Sequence, residues 1–236
     1  MRCSAIFLLM SALGFAQGTF AASATGQEAE VFLAPGWGKL SFEAPAPATY
    51  ELPAIRKATG GKVLDASGES LDLDSLLGDK IAILSFIYRT CDDVNGCPLS
   101  TMVSYKVAEK LQEKPEFADQ LRLLTLSFDP ANDTPEAMLE YGEGIKEDSE
   151  TDWRFLTTAS EADLQPILDA YQQSVVPDGM SADGKQRKFS HILRVYLIDR
   201  QKQIRNIYSV SFLHPDILIN DVLTLLAEES ALADRR

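Results

Sequence analysis

Residues 81–98, IAILSFIYRTCDDVNGCP, constrain what this chain can fold into more than any other stretch. The eight residues 81–88 form an apolar, β-branched and aromatic run with a single serine. That pattern predicts a strand covered on both faces of a sheet. The strand delivers two cysteines, Cys91 and Cys97, separated by the five polar residues 92–96. Pro98 follows at once, and its fixed φ and missing N–H suit the first turn of a helix. Residues 99–113 supply that helix, with Met102, Tyr105, Val107, Ala108 and Leu111 as its apolar positions. Cys97 is therefore expected at a helix N-terminus, where the dipole and free N–H groups favour a thiolate. Two thiols at a strand-to-helix junction make a redox pair or a soft-metal site.

The compartment bears on that choice. Residues 1–24 read as a cleavable export signal: Arg2 is a short positive head, residues 5–16 (AIFLLMSALGFA) an apolar core, and Ala22-Ser23-Ala24 a small-residue cleavage site. The apolar run falls short of the ~20 residues a membrane span needs, so no span is expected after cleavage and the mature chain is expected in the periplasm. Cys3 precedes the apolar core and leaves with the signal, so Cys91 and Cys97 are the cysteines of the exported protein. In an oxidising compartment their default is a structural disulfide, but their place between a strand and a helix favours a working pair.

The formal charge of the 236-residue chain is −13, and removing residues 1–24 takes away one basic residue. Such a balance disfavours nucleic acid and anionic membrane as partners; it suits a basic protein or a cation. Residues 25–52, rich in Ala, Pro, Gly and Glu, read as an irregular lead-in with Trp37 and Phe42 as docking side chains. Residues 53–236 are expected to form one domain.

Within that domain, residues 61–73 (GKVLDASGESLDL) alternate around a Ser-Gly turn as a β-hairpin. Residues 121–129 form a second buried strand, and Asp133-Thr134-Pro135 opens a helix. Strand 153–157, helix 160–172, a polar segment 174–188 expected as a mobile hairpin or loop, a strand 191–200 (HILRVYLIDR), its antiparallel partner 203–210 and a helix 215–229 complete the chain. The fold class is α/β and thioredoxin-like: a mixed central sheet flanked by helices, with an N-terminal β-hairpin extension.

Soft thiolates prefer Cu(I), Zn(II) or another thiol, and imidazole adds Cu(II). The exported chain has two histidines. His191, at the head of the expected strand 191–200, lies next to the cysteine loop in a sheet of this kind, so Cys91, Cys97 and His191 form a candidate metal site. His214, before the last helix, is expected at the surface or as a cap. Asp92 and Asp93 oppose a thiolate at Cys91 but favour a bound cation.

Three segments, SFIYRTC…GCP, TLSFDPANDTPEAMLEYGE and SHILRVYLIDRQKQIRNIY, resemble the Sco/SenC family of copper-binding, thioredoxin-fold proteins that assist cytochrome c oxidase assembly. The resemblance spans roughly residues 52–226. It implies copper held by Cys91, Cys97 and His191. It also implies a cuproprotein client such as a cytochrome c oxidase subunit, to whose binuclear site copper is delivered or whose cysteines are reduced. The chain departs from the family pattern in having five residues between the cysteines where three are usual, and in lacking an evident membrane anchor. The other readings of the same residues are a thiol–disulfide oxidoreductase working through Cys91 and Cys97 without stable metal, and a binding module with a purely structural disulfide.

Overall fold

The computed structural model describes residues 31–112, 117, 119–146 and 151–234; the expected export signal lies outside them. The run at residues 81–88 becomes β4 (Ile81–Ile87), buried at every position. Its one polar side chain, Ser85, bonds the Leu124 carbonyl and the Thr125 hydroxyl, so no buried polar group there is left unpaired. β4 lies at the centre of an eight-stranded sheet of order β1-β10-β9-β4-β5-β6-β2-β3. These strands are β1 (Arg56–Lys57), β2 (Lys62–Asp65), β3 (Ser70–Asp72), β5 (Leu121–Ser127), β6 (Asp152–Thr157), β9 (Val195–Ile198) and β10 (Gln203–Tyr208).

β4, β5 and β6 run parallel, and parallel neighbours need crossovers. α1 (Cys97–Gln112) and α2 (Pro135–Lys146) supply them. The remaining pairings are antiparallel. The β2–β3 hairpin turns at Gly68, whose φ of 85° is one glycine adopts freely, and joins the sheet edge through β6. α3 (Glu161–Ala170) is capped by Ser160, whose hydroxyl accepts from the Asp163 N–H at 3.1 Å. α4 (Pro215–Ala233) closes the described chain. Among the described residues no helix is long and apolar enough to cross a membrane.

The polar segment 174–188, expected as a hairpin or loop, lies in a separate two-stranded antiparallel sheet, β7 (Val175–Met180) with β8 (Arg187–His191). One expectation changes: the expected strand 191–200 is shorter, since His191 ends β8 and the central strand begins at Val195. Side chains and backbone of the preceding turn intercept the ladder between them. Gln173 Nε2 donates to the Ile192 carbonyl at 2.7 Å, and Arg194 donates to the Gln172 carbonyl.

The lead-in lies across α4. Asn220 donates to the Pro45 carbonyl at 2.8 Å, and the Ala48 N–H to Thr224 at 3.0 Å. The buried carboxylate of Asp221 accepts from Tyr50, Tyr208 and Asn206 at 2.5, 2.6 and 2.8 Å. Burial, and then the bond to Asp221, push the Tyr50 hydroxyl up to about 12. Trp37 packs against the core, whereas Phe42, expected to dock with it, stays exposed.

Asp221→Ala strands the Tyr208 hydroxyl, which is fully buried, together with two further donors. The expected loss is about 3 kcal/mol, read from urea unfolding at unchanged slope. A loss below about 1 kcal/mol would mean that water replaces the carboxylate.

Candidate metal centre

Antiparallel pairing of β4 with β9 sets Ser85 opposite Val195. The chain therefore enters β9 at the end where β4 releases the cysteine loop. His191, four residues before Val195, arrives there on β8. The Sγ atoms of Cys91 and Cys97 and an imidazole nitrogen of His191 all lie within 4.8 Å of one another, and His191 Nε2 is 3.7 Å from Cys97 Sγ. Aromatic neighbours fix the imidazole plane: Phe128 at 4.8 Å and Tyr88 at 6.2 Å, both edge-on. β8 is held in turn by Arg187, which reaches the buried Asp129 at 3.1 Å and lies 4.9 Å over the Phe189 ring.

The site is asymmetric. Cys97, the first residue of α1, is 2% exposed, while Cys91 is half-buried. The Cys97 thiol hydrogen-bonds Cys91 and holds its pKa down to about 4, helped by His191 and by the backbone N–H groups of Cys97 and Asp93 against the opposing effect of burial. Burial pushes the Cys97 thiol well up, and the charge on Cys91 pushes it further. The thiolate is thus on Cys91, the reverse of the expectation that Cys97 carries it. The helix N-terminus does act, and its free N–H serves both sulfurs, but at Cys97 burial prevails over it. Asp92 and Asp93 do not prevent this. Asp92 pairs with Lys188 at 2.7 Å, and Asp93 accepts the Asn95 N–H at 3.0 Å.

Cys91 borders two cavities. One, of about 550 Å³, is apolar, with Trp37, Tyr88, Met102, Tyr105 and Tyr141 beside both sulfurs. The other, of about 520 Å³, is lined in part by charged side chains, with Asp92, Asp178 and Lys188 beside Cys91 and His191. Two thiols and one imidazole form a soft donor set. The His191 Nδ1 is buried without a hydrogen-bond partner, so the ring's polar contact is with sulfur. Those donors fit a soft ion.

Within Asp133-Thr134-Pro135, expected to open the helix, Thr134 is the cap and accepts the Ala137 N–H at 3.3 Å. Asp133 is buried, accepts from Ser127 Oγ at 2.6 Å and from the Arg89 N–H at 2.9 Å, and so pins the backbone two residues before Cys91. Its carboxyl is pushed up by burial. His214 is a cap and is not at the surface. It is 2% exposed, with Nδ1 accepting from the Asp216 N–H at 3.1 Å and Nε2 donating to the Gly38 carbonyl at 3.2 Å.

A family model described as SCO1/SenC matches residues 59–227. A comparison with curated protein sequences found no significant match. Among solved structures, Arabidopsis thaliana ScoI with copper bound is 19% identical, with TM-score 0.62, and the match covers 72% of this chain and 98% of that one. Yeast Sco1 with copper bound is 22% identical, with TM-score 0.56 and coverages of 76% and 94%. BsSco is a member of the Sco family of cytochrome c oxidase assembly proteins in which a disulfide switch was identified. It is 20% identical, with TM-score 0.56 and coverages of 74% and 96%. At these identities the structures establish the fold, which is the expected thioredoxin-like one.

A lowered pKa keeps Cys91 ionised at pH values where an ordinary thiol is protonated. Its alkylation rate in the reduced protein should stay nearly level from about pH 8 to about pH 5, then fall as pH drops through about 4. An unperturbed thiol loses about tenfold per unit over that range. Rates of single-cysteine alkylation, followed by mass spectrometry, distinguish the two.

Proposed function

The chain belongs to the SCO1/SenC family, and we propose that it is an exported copper-binding metallochaperone acting in the periplasm. Copper is its cargo, held by Cys91, Cys97 and His191. The client is a cuproprotein, such as the cytochrome c oxidase subunit that carries the binuclear copper site. The observation that carries this reading is the three-donor cluster within 4.8 Å, whose composition suits Cu(I) through sulfur and Cu(II) through added imidazole. Copper-bound ScoI and Sco1 share the fold. The half-buried Cys91, open to two cavities, gives an incoming client ligand a sulfur to replace. The acidic surface suits a basic partner.

The proton placement favours a second activity of the same residues, reduction of a client disulfide. Cys91 thiolate attacks one client sulfur and forms a mixed disulfide, releasing the other as thiolate. Cys97 then gives up its proton and attacks Cys91. The client leaves as a dithiol, and the two electrons it gained remain balanced by a Cys91–Cys97 disulfide.

Titration of the reduced protein with Cu(I) and Cu(II) tests the first reading. One copper per chain is expected, with a thiolate-to-Cu(II) charge-transfer band. His191→Ala should weaken Cu(II) binding by more than the ~10–100-fold typical of losing a supporting residue. An unchanged spectrum and stoichiometry in that variant would exclude the three-ligand site. No retained copper, with a readily cycling disulfide, would leave the reductase alone. Export is checked by N-terminal sequencing of protein from the cell envelope, which should begin at or near Thr25.

A further inference from the structure

We propose that residues 34–38 form a clamp that fixes the loop between the two cysteines, with Trp37, Asn95 and His214 as its positioning residues. The proposal rests on the reading above only where copper is used as a probe. The segment lies outside residues 59–227, which match the family model, and it meets the five-residue loop between Cys91 and Cys97.

The loop's internal bonds are local: the Asn95 N–H to Asp93 Oδ1 at 3.0 Å, and the Gly96 N–H to the Asp93 carbonyl at 2.9 Å. Two further bonds tie its far side to the clamp. Trp37 Nε1 donates to the Val94 carbonyl at 3.2 Å, and the Ala34 N–H donates to Asn95 Oδ1 at 2.7 Å. The partners, Val94 and Asn95, lie two and three residues past Asp92, whose pair with Lys188 holds the start of the loop.

The clamp is itself anchored. Residues 35–37 form a 3-10 turn whose Gly36 is seated so closely that a Cβ would lie 2.4 Å from the Leu213 carbonyl and 2.9 Å from Leu99 and Val103 side-chain atoms. Only glycine permits that approach to α1. His214 completes the anchor. Nδ1 accepts the Asp216 N–H, so the proton lies on Nε2 and is given to the Gly38 carbonyl. One histidine thereby joins the start of α4 to the clamp, and the clamp to the cysteine loop. Trp37 also lines the apolar cavity beside Cys91 and Cys97.

A five-residue loop without those bonds samples geometries in which the sulfurs stand apart, which lowers their effective concentration toward each other and toward one ion. Three variants of the full chain test this. Trp37→Phe keeps a ring and loses the donor, Asn95→Ala loses the acceptor, and His214→Asn keeps a helix cap but is too short to reach Gly38. The first readout is the Cys91–Cys97 dithiol–disulfide equilibrium against glutathione in copper-free protein. The Trp37→Phe/Asn95→Ala double variant should favour the disulfide about tenfold less, ~30 mV, with His214→Asn moving the same way. The second readout is copper loss to a chelator, expected to quicken in the same order. Variants that unfold at lower temperature yet keep the equilibrium within about twofold of the parent would overturn the clamp and leave a merely structural turn. If the parent retains no copper, the disulfide equilibrium still decides the matter.

Discussion

Because β9 runs antiparallel to β4, with Val195 opposite Ser85, the chain must enter β9 at the end where β4 lets the cysteine loop go. That pairing is what turns two cysteines and a distant histidine into one cluster. The parallel pairing of β4 with β5 works on the same end, since it brings Phe128 and Asp129 out beside Ile87. Phe128 then stacks edge-on against His191, and Asp129 takes the Arg187 that holds β8. Loss of the central register would therefore scatter ligands, aromatic wall and hairpin anchor together, because a one-residue slip reverses every side chain of a strand.

Much of this was legible in the sequence, for reasons that differ from residue to residue. The unbroken apolar run of β4 and the Cys97-Pro98 junction are local signals that burial and helix entry both require, and they hold in the structure. His191 was found by chemistry, as one of few remaining soft donors, but its strand was misplaced. Periodicity cannot reveal that Gln173 and Arg194 divert the ladder at residues 192–194. The proton on the cysteine pair was misassigned for a similar reason. A helix N-terminus favours a thiolate, yet its N–H serves both sulfurs, and the depth to which the fold buries each decides which keeps its proton. Trp37, Asp133 and His214 were underestimated because their partners, Val94, Arg89 and Gly38, are tens to more than a hundred residues away or are backbone atoms with no sequence signature.

The two cysteines divide their work by depth. Cys97, sealed under the start of α1, keeps its proton and donates it outward to Cys91, which at the rim carries the charge. A metal ion arriving at such a pair has to displace one proton rather than two. The acidic residues around the rim do not spoil this, since Lys188 neutralises the nearest, Asp92, and at the same time ties the hairpin to the loop.

The separation of Cys97 from His191 by 94 positions along the chain has a consequence for the order in which the protein is made. Two thiols one short loop apart can meet in a chain that has hardly begun to collapse. The imidazole joins them only after β5 and β9 have found β4, contacts of long sequence separation that form late. A soft ion captured early is held by sulfur alone, and the third donor closes over it as the native state is reached. The complete donor set is in that sense a certificate of finished folding, and coordination by nitrogen would report maturation of the chain as directly as any probe of its core.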